Sequence, residues 1–102
     1  HITVTVPSGQ KRRYSLCNDC HERDRYVIAV KQEVDGRGGS LSLTTGINRG
    51  DVVSVEPPSN DFPLPASEPK RFILIAGGIG ITPIRSMILD RMRQGKANFT
   101  VY

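Results

Sequence analysis

The chain has 102 residues, 37% apolar and 6% aromatic with no Trp, which suits one small domain's worth of chain with a modest core. Its net charge is +4, but the 14 Lys and Arg are scattered, apart from Lys11-Arg12-Arg13 and the pair Arg23 and Arg25. They are neither gathered on one helix nor interleaved with aromatics, so nucleic-acid binding is not expected. No apolar run approaches the ~18 residues of a membrane span, so no membrane partner is expected either.

Taken in chain order, Ile2 to Val6 reads I-T-V-T-V, a strict period of two that predicts a half-buried strand. Pro7 to Gln10 is turn chemistry, and Lys11 to Leu16 returns as a second strand of a hairpin. Tyr26 to Val30 is nearly all apolar and predicts a third strand. Gly36 to Ser40, G-R-G-G-S, is a glycine-rich loop, and Leu41 to Leu43 opens either a short helix or a strand. Val52 to Glu56 alternates as a further strand. Pro57 to Pro69 then holds five of the seven prolines, which lack a backbone donor and fix φ. That stretch is expected to be a rigid crossing between two units.

Beyond it the period changes. Arg71 to Ala76 predicts a buried strand, Gly77-Gly78-Ile79-Gly80 a turn, and Thr82 followed by Pro83 a helix start with Thr82 as N-cap. Ile84, Met87, Ile88 and Met92 form the expected apolar face, Gly95 the stop, and Phe99 to Tyr102 a further strand. The fold class expected is therefore mixed β and α/β. An antiparallel β unit spans 1–66 and the strand-helix-strand opening of a parallel unit spans 67–102. Neither unit looks whole, and the chain opens on His rather than Met, so a fragment of a longer two-domain protein is expected.

Three stretches have the chemistry to meet a nucleotide. Gly77 to Pro83, G-G-I-G-I-T-P, offers a close-approaching backbone and a helix N-terminus suited to pyrophosphate. Pro83 stands where the third glycine of the dinucleotide fingerprint would be, and a tight turn with no ligand remains an alternative. Gly36 to Ser40 offers glycine amides, a hydroxyl and a guanidinium for a phosphate; its alternative is a flexible loop. Arg12 and Tyr14 lie two apart on a strand and so share a face, where a cation and a ring could hold the phosphate and flat ring of one ligand. The alternative there is an ordinary edge strand.

In this order, R-x-Y-S, G-R-G-G-S, a Pro-rich crossing and G-G-I-G-I-T-P, the chain resembles the ferredoxin-reductase superfamily. The resemblance is to the phthalate dioxygenase reductase type, which includes vanillate demethylase reductases. Tyr14 to Asp19 (Y-S-L-C-N-D) and Asn60 to Leu64 (N-D-F-P-L) carry it further, over essentially the whole chain. The resemblance implies a partial Greek-key flavin-binding barrel followed by the start of a Rossmann-like NAD-binding domain. Arg12 would pair with the flavin phosphate, and Tyr14 and Ser15, the catalytic pair, would meet the isoalloxazine. Ala29, Val30 and Lys31 would line the flavin, and Gly38, Gly39 and Ser40 would bind its phosphate. Gly77, Gly78, Gly80, Thr82 and Pro83 would face the nicotinamide nucleotide.

The same resemblance implies a bacterial, cytoplasmic reductase taking electrons from NADH, with NADPH as the other candidate. It would pass them to an oxygenase or demethylase partner. FMN is preferred over FAD because the G-R-G-G-S stretch resembles the FMN members. Members of this type also carry a [2Fe–2S] domain with a C-x4-C-x2-C run and a fourth Cys. The two cysteines present cannot ligate that cluster, so the activity belongs to the parent protein. A non-catalytic flavin- or nucleotide-binding module is the alternative reading.

Cys17 to His21, C-N-D-C-H, matches the haem-attachment signature C-x-x-C-H and the dithiol pattern C-x-x-C. A haem protein of this size would be mainly helical and exported, and a redox dithiol needs its first Cys at a helix start, whereas this loop runs toward a strand. Zinc would need two further ligands. No metal ligand is expected, and Cys20 and His21 are read as loop residues.

Overall fold

The computed structural model describes all residues from His1 to Tyr102. Alternation in the first segment produces β1 (Ile2–Thr5), which pairs antiparallel with β2 (Lys11–Tyr14) in the register Ile2–Tyr14, Val4–Arg12. The connection is tight: Val6 N–H donates to Gln10, Gly9 N–H donates back to Val6, and Gly9 takes φ +84°, a conformation glycine reaches without a Cβ penalty. Ile2, Val4 and Val6 point to one side and form the core of this unit, with Tyr14, Leu16, Ile28, Leu43 and Val53 packed around them. Each such side chain contributes about 1.5–3 kcal/mol on full burial.

The expected strand at Val52 to Glu56 is reduced to a bridge. Val55 pairs with Val4, Thr5 N–H donates to Ser54 and Glu56 N–H donates to Thr3, so this segment lies along the free edge of β1 without forming a full ladder. The expected strand at Tyr26 to Val30 is likewise a single bridge, Ile28 to Leu16. The reason is local. Val27 N–H is taken by the Asn18 side chain at 3.1 Å, while the Val27 carbonyl accepts from Cys17 N–H and Sγ. The segment spends its donors on a loop. The ambiguous stretch after the glycine-rich loop is a helix, α1 (Gly39–Gly46), entered through Gly38 at φ +82°.

Residues 57–69 carry no helix or strand, as the prolines require. The second unit follows as β3 (Phe72–Leu74), a 3₁₀ turn (Gly78–Gly80), α2 (Ile81–Arg93) and β4 (Phe99–Val101), with β3 and β4 parallel. Thr82 is not the N-cap. The 3₁₀ turn advances the helix start, Gly80 occupies the cap position, and Thr82 is buried with its hydroxyl donating to the Ile79 carbonyl. Pro83 then lies within the first turn, where its missing N–H has no intrahelical acceptor to lose. The helix ends as expected: Gly95 takes φ +70°, its N–H donates to Met92, and Lys96 N–H donates to Arg91, the paired bonds of a Schellman ending.

Helix α2 covers one face of β3, where Phe72 and Leu74 are buried with Ile84. Met92, expected on the apolar face, is exposed, and Arg91 is buried in its place. The Arg91 guanidinium lies 4.0 Å from the centre of the Phe72 ring. It donates to Glu68 at 2.6 Å and also to Asn98. Lys96 and Asn98 reach the same carboxylate, and together these contacts hold the Glu68 carboxyl down at about 2. The end of the proline crossing is therefore fastened to α2 and the start of β4 by one buried cation. The opposite face of β3, with Ile73 and Ile75, is uncovered.

Candidate functional site

The alternation of β2 puts Arg12 and Tyr14 on the same half-buried side, with Lys11 and Arg13 outward. Arg12 is braced by bonds to the Gln10 side chain and the Lys11 carbonyl. Gln10 in turn donates to the Arg37 carbonyl at 3.2 Å, tying β2 to the glycine-rich loop. Gly39, the first residue of α1, is buried against Arg12 so closely that a Cβ there would meet Arg12 Nε at 2.4 Å and Cγ at 2.9 Å. The guanidinium thus stands at the N-terminus of α1, whose opening amides have no intrahelical acceptor. The Ser40 hydroxyl accepts from Glu33 N–H at 3.0 Å and keeps its own proton to donate. A cation, free amides and a hydroxyl at a positive helix end are groups of the kind that can hold an anion such as phosphate. Arg12 and the Gly38–Ser40 stretch, separate in sequence, lie side by side in the fold through the contact of Gly39 with Arg12.

Tyr14 packs its ring on the core of the first unit, and burial holds its phenol above its ordinary value against the opposing pull of Arg12. Ser15 opens onto a different space, a cleft of about 600 Å³ between the two units. Leu16, Cys20, Pro83, Met87 and Asp90 share that cleft with Ser15, and the Asn60–Leu64 stretch closes its other side. Ser15 and Pro83, one from each unit, therefore face the same space.

The other expected residues are less gathered. Ala29 and Lys31 are exposed and Val30 half-buried, on a segment with no ladder partner. Lys31 pairs with Glu33 at 2.9 Å. Gly77, Gly78 and Gly80 are exposed with no atom within 4 Å of where a Cβ would stand. Of these only Gly78 has a positive φ, +52°. The openness leaves room for a ligand beside the backbone. Thr82 points inward and supports the turn instead of facing that space.

Several residues that hold the site together escaped sequence reasoning. Asn18 is buried and pins the loop by donating to the Arg25 carbonyl and accepting from Val27 N–H. Its position inside C-N-D-C-H, a loop residue type with two-way bonding capacity, was the available signal. Arg85 of α2 donates to the Cys17 carbonyl, docking the helix on the loop that follows Ser15. Asp90 and Arg93 of α2 reach the same loop: Arg93 Nε lies 3.3 Å from Asp19 and Cys20 Sγ lies 3.5 Å from Asp90. Nothing local marks these partners. Burial, then the neighbouring Asp90 carboxylate, raise the Cys20 thiol above its ordinary value, which opposes the low-pKa chemistry of a reactive dithiol.

No protein-family model matches the chain. Phthalate dioxygenase reductase from Burkholderia cepacia is 52% identical over 102 residues, all of this chain and 31% of that protein. A solved structure titled as a phthalate dioxygenase reductase, a modular structure for electron transfer from pyridine nucleotides to [2Fe-2S], superposes with a TM-score of 0.95 at 52% identity, over 99% of this chain and 31% of its own. The flavohaem-like FAD/NAD-binding domain of nitric oxide dioxygenase from Vibrio cholerae gives a TM-score of 0.82 at 28% identity, over 98% of this chain and 45% of its own. The chain thus spans under a third of the phthalate reductases it matches end to end. The motif order, the identity along the whole chain and the superposition agree: over its full length the chain is similar to one part of the phthalate dioxygenase reductases.

Proposed function

We propose that this chain is the part of a reductase in which a reduced pyridine nucleotide meets a flavin. The parent protein is then an NAD(P)H-dependent flavin oxidoreductase that passes electrons through an iron–sulfur centre to an oxygenase or demethylase. The observation that carries this reading is the Arg12 side chain against Gly39 at the start of α1, a phosphate cradle in a chain 52% identical to a phthalate dioxygenase reductase. In this reading residues 1–66 are part of a Greek-key flavin barrel, and residues 67–102 open a Rossmann-like nucleotide unit.

FMN, once bound, supplies the ability to take two electrons as hydride and release them singly. The protein's share is positioning. Arg12, the amides of Gly39 and Ser40 and the Ser40 hydroxyl would hold the phosphate, and Gly38 sets the turn. Tyr14 would lie beside the flavin ring, Ala29, Val30 and Lys31 would line it, and the Ser15 hydroxyl would be available to donate a hydrogen bond to it. Gly77, Gly78 and Gly80 leave the backbone open to the nucleotide. Pro83 walls the cleft opposite Ser15, and Thr82 holds the turn in shape. The G-R-G-G-S stretch favours FMN over FAD, and the nucleotide is NADH.

The test is a visible spectrum of the purified chain after incubation with FMN and removal of free flavin by gel filtration. Retained flavin that is lost in Arg12→Ala, followed by bleaching with NADH, is the expected result. A folded but colourless wild-type chain counts against the cradle.

A further inference from the structure

Four side chains at the seam between the two units stand in the arrangement of a metal centre. Asp19, Cys20 and His21 come from the loop after Ser15, and Asp90 comes from α2, 70 residues beyond Cys20. Cys20 Sγ lies 3.1 Å from His21 Nδ1 and 3.5 Å from Asp90 Oδ1. His21 Nδ1 lies 3.3 Å from Asp19 Oδ1 and 3.7 Å from Asp90 Oδ1. All four donor atoms fall within 4.8 Å of one another. A tetrahedron built on Zn–N and Zn–O bonds of about 2.0–2.1 Å and a Zn–S bond of about 2.3 Å has edges of roughly 3.3–3.6 Å. The four edges given above, from 3.1 to 3.7 Å, lie close to that range.

We propose that Asp19, Cys20, His21 and Asp90 form a binding site for a zinc-class divalent cation that staples the loop of the first unit to α2 of the second. One thiolate, one imidazole and two carboxylates suit Zn²⁺ rather than Mg²⁺ or Ca²⁺, which take oxygen donors. Four protein ligands leave no open position, so the role is structural. Sequence spacing offered only Cys17, Cys20 and His21; the fold adds two carboxylates and turns Cys17 away, its Sγ donating to the Val27 carbonyl.

The balance of protons and charge is specific. Cys20 releases its thiol proton to solvent on coordination, and His21 carries its remaining proton on Nε2. Arg93 now donates to His21 Nε2 at 3.0 Å and to Asp90 Oδ1 at 2.9 Å, so both contacts must be given up. Its third contact, Nε with Asp19 Oδ2 at 3.3 Å, uses the oxygen the metal does not need. Gln94 holds Asp90 through Oδ2 at 2.7 Å, a bond that stays in place once Arg93 has left Oδ1. Arg93 is 40% exposed at its side chain and can swing outward while its charge offsets that of the ligands.

This inference is tested without flavin or nucleotide, by the metal alone. Co²⁺ is titrated into the purified chain, following the visible bands of tetrahedral Co²⁺ and the near-ultraviolet thiolate-to-metal band; Zn²⁺ is then added in competition. The expected result is saturation at one equivalent, displacement by Zn²⁺, loss of the thiolate band in Cys20→Ser, and unchanged binding in Cys17→Ser. Asp90→Asn is expected to weaken binding at least tenfold, and His21→Gln, on the exposed loop, serves where Asp90→Asn does not fold. Overturning results are an absence of saturable tetrahedral binding, loss on Cys17→Ser but not Cys20→Ser, or full-strength binding in Asp90→Asn, which means that the loop chelates by itself.

Discussion

Replacing Gly39 with alanine puts a methyl carbon 2.4 Å from Arg12 Nε, 2.9 Å from its Cγ and 3.1 Å from its Cδ. All three atoms belong to one side chain on a flexible stem, so the backbone of β2 and α1 stays and Arg12 moves. Gly39 has no positive φ, and alanine at a helix start is as good as glycine or better, so stability is expected to change by less than about 1 kcal/mol. Flavin affinity is expected to respond differently. A displaced guanidinium forfeits its charge-assisted hydrogen bonds to the phosphate, about 1.5–3 kcal/mol, or roughly a 10- to 100-fold rise in Kd. The assay is titration of FMN fluorescence quenching against wild type, Gly39→Ala, Arg12→Ala and the double variant. Because the methyl acts through Arg12, the double variant should bind about as weakly as Arg12→Ala alone. Wild-type affinity in Gly39→Ala, or losses that add in the double variant, would refute the cradle.

Arg91→Met removes the buried guanidinium that lies over Phe72 and joins Glu68 and Asn98; a loss of about 1.5–3 kcal/mol is expected, read as a lower denaturation midpoint in urea. Glu68 titrates at about 2 in the folded chain against an ordinary 4.5, so its contribution is complete above about 4.5 and is lost as pH falls from there toward 2. Acid unfolding of Glu68→Gln should lack that part of the slope, and identical wild-type and variant curves would contradict the assignment. Gly77→Ala should leave stability unchanged, since no atom lies within 4 Å of the new carbon, yet weaken NADH binding by filling the space beside the turn. Gly78→Ala, at φ +52°, should instead cost about 1–2 kcal/mol in thermal unfolding, and equal stabilities for the two variants would remove the distinction.

Much of the architecture follows from local chemistry. The period of two in Ile2 to Val6, the glycine at the hairpin turn, the prolines of the crossing and the helical spacing ended by Gly95 each act over a few residues. Reading them in order was enough for the antiparallel hairpin, the parallel strand-helix-strand and the resemblance to the phthalate dioxygenase reductases. Other features were settled only when distant segments met. Asn18 captured the Val27 amide, so an apolar run that alone would extend as a strand ended as one bridge. The 3₁₀ turn moved the helix start and sent Thr82 inward. Arg91 displaced Met92 from the buried face because Phe72, Glu68 and Asn98 together offered it partners, and hydrophobic periodicity has no sign for a buried cation. The joining of Cys20 to Asp90 depends on how α2 rests on the loop after Ser15. Periodicity and turn chemistry report a residue's own neighbourhood along the chain; a polar contact across 70 residues depends on the docking of whole elements, which only the tertiary structure decides.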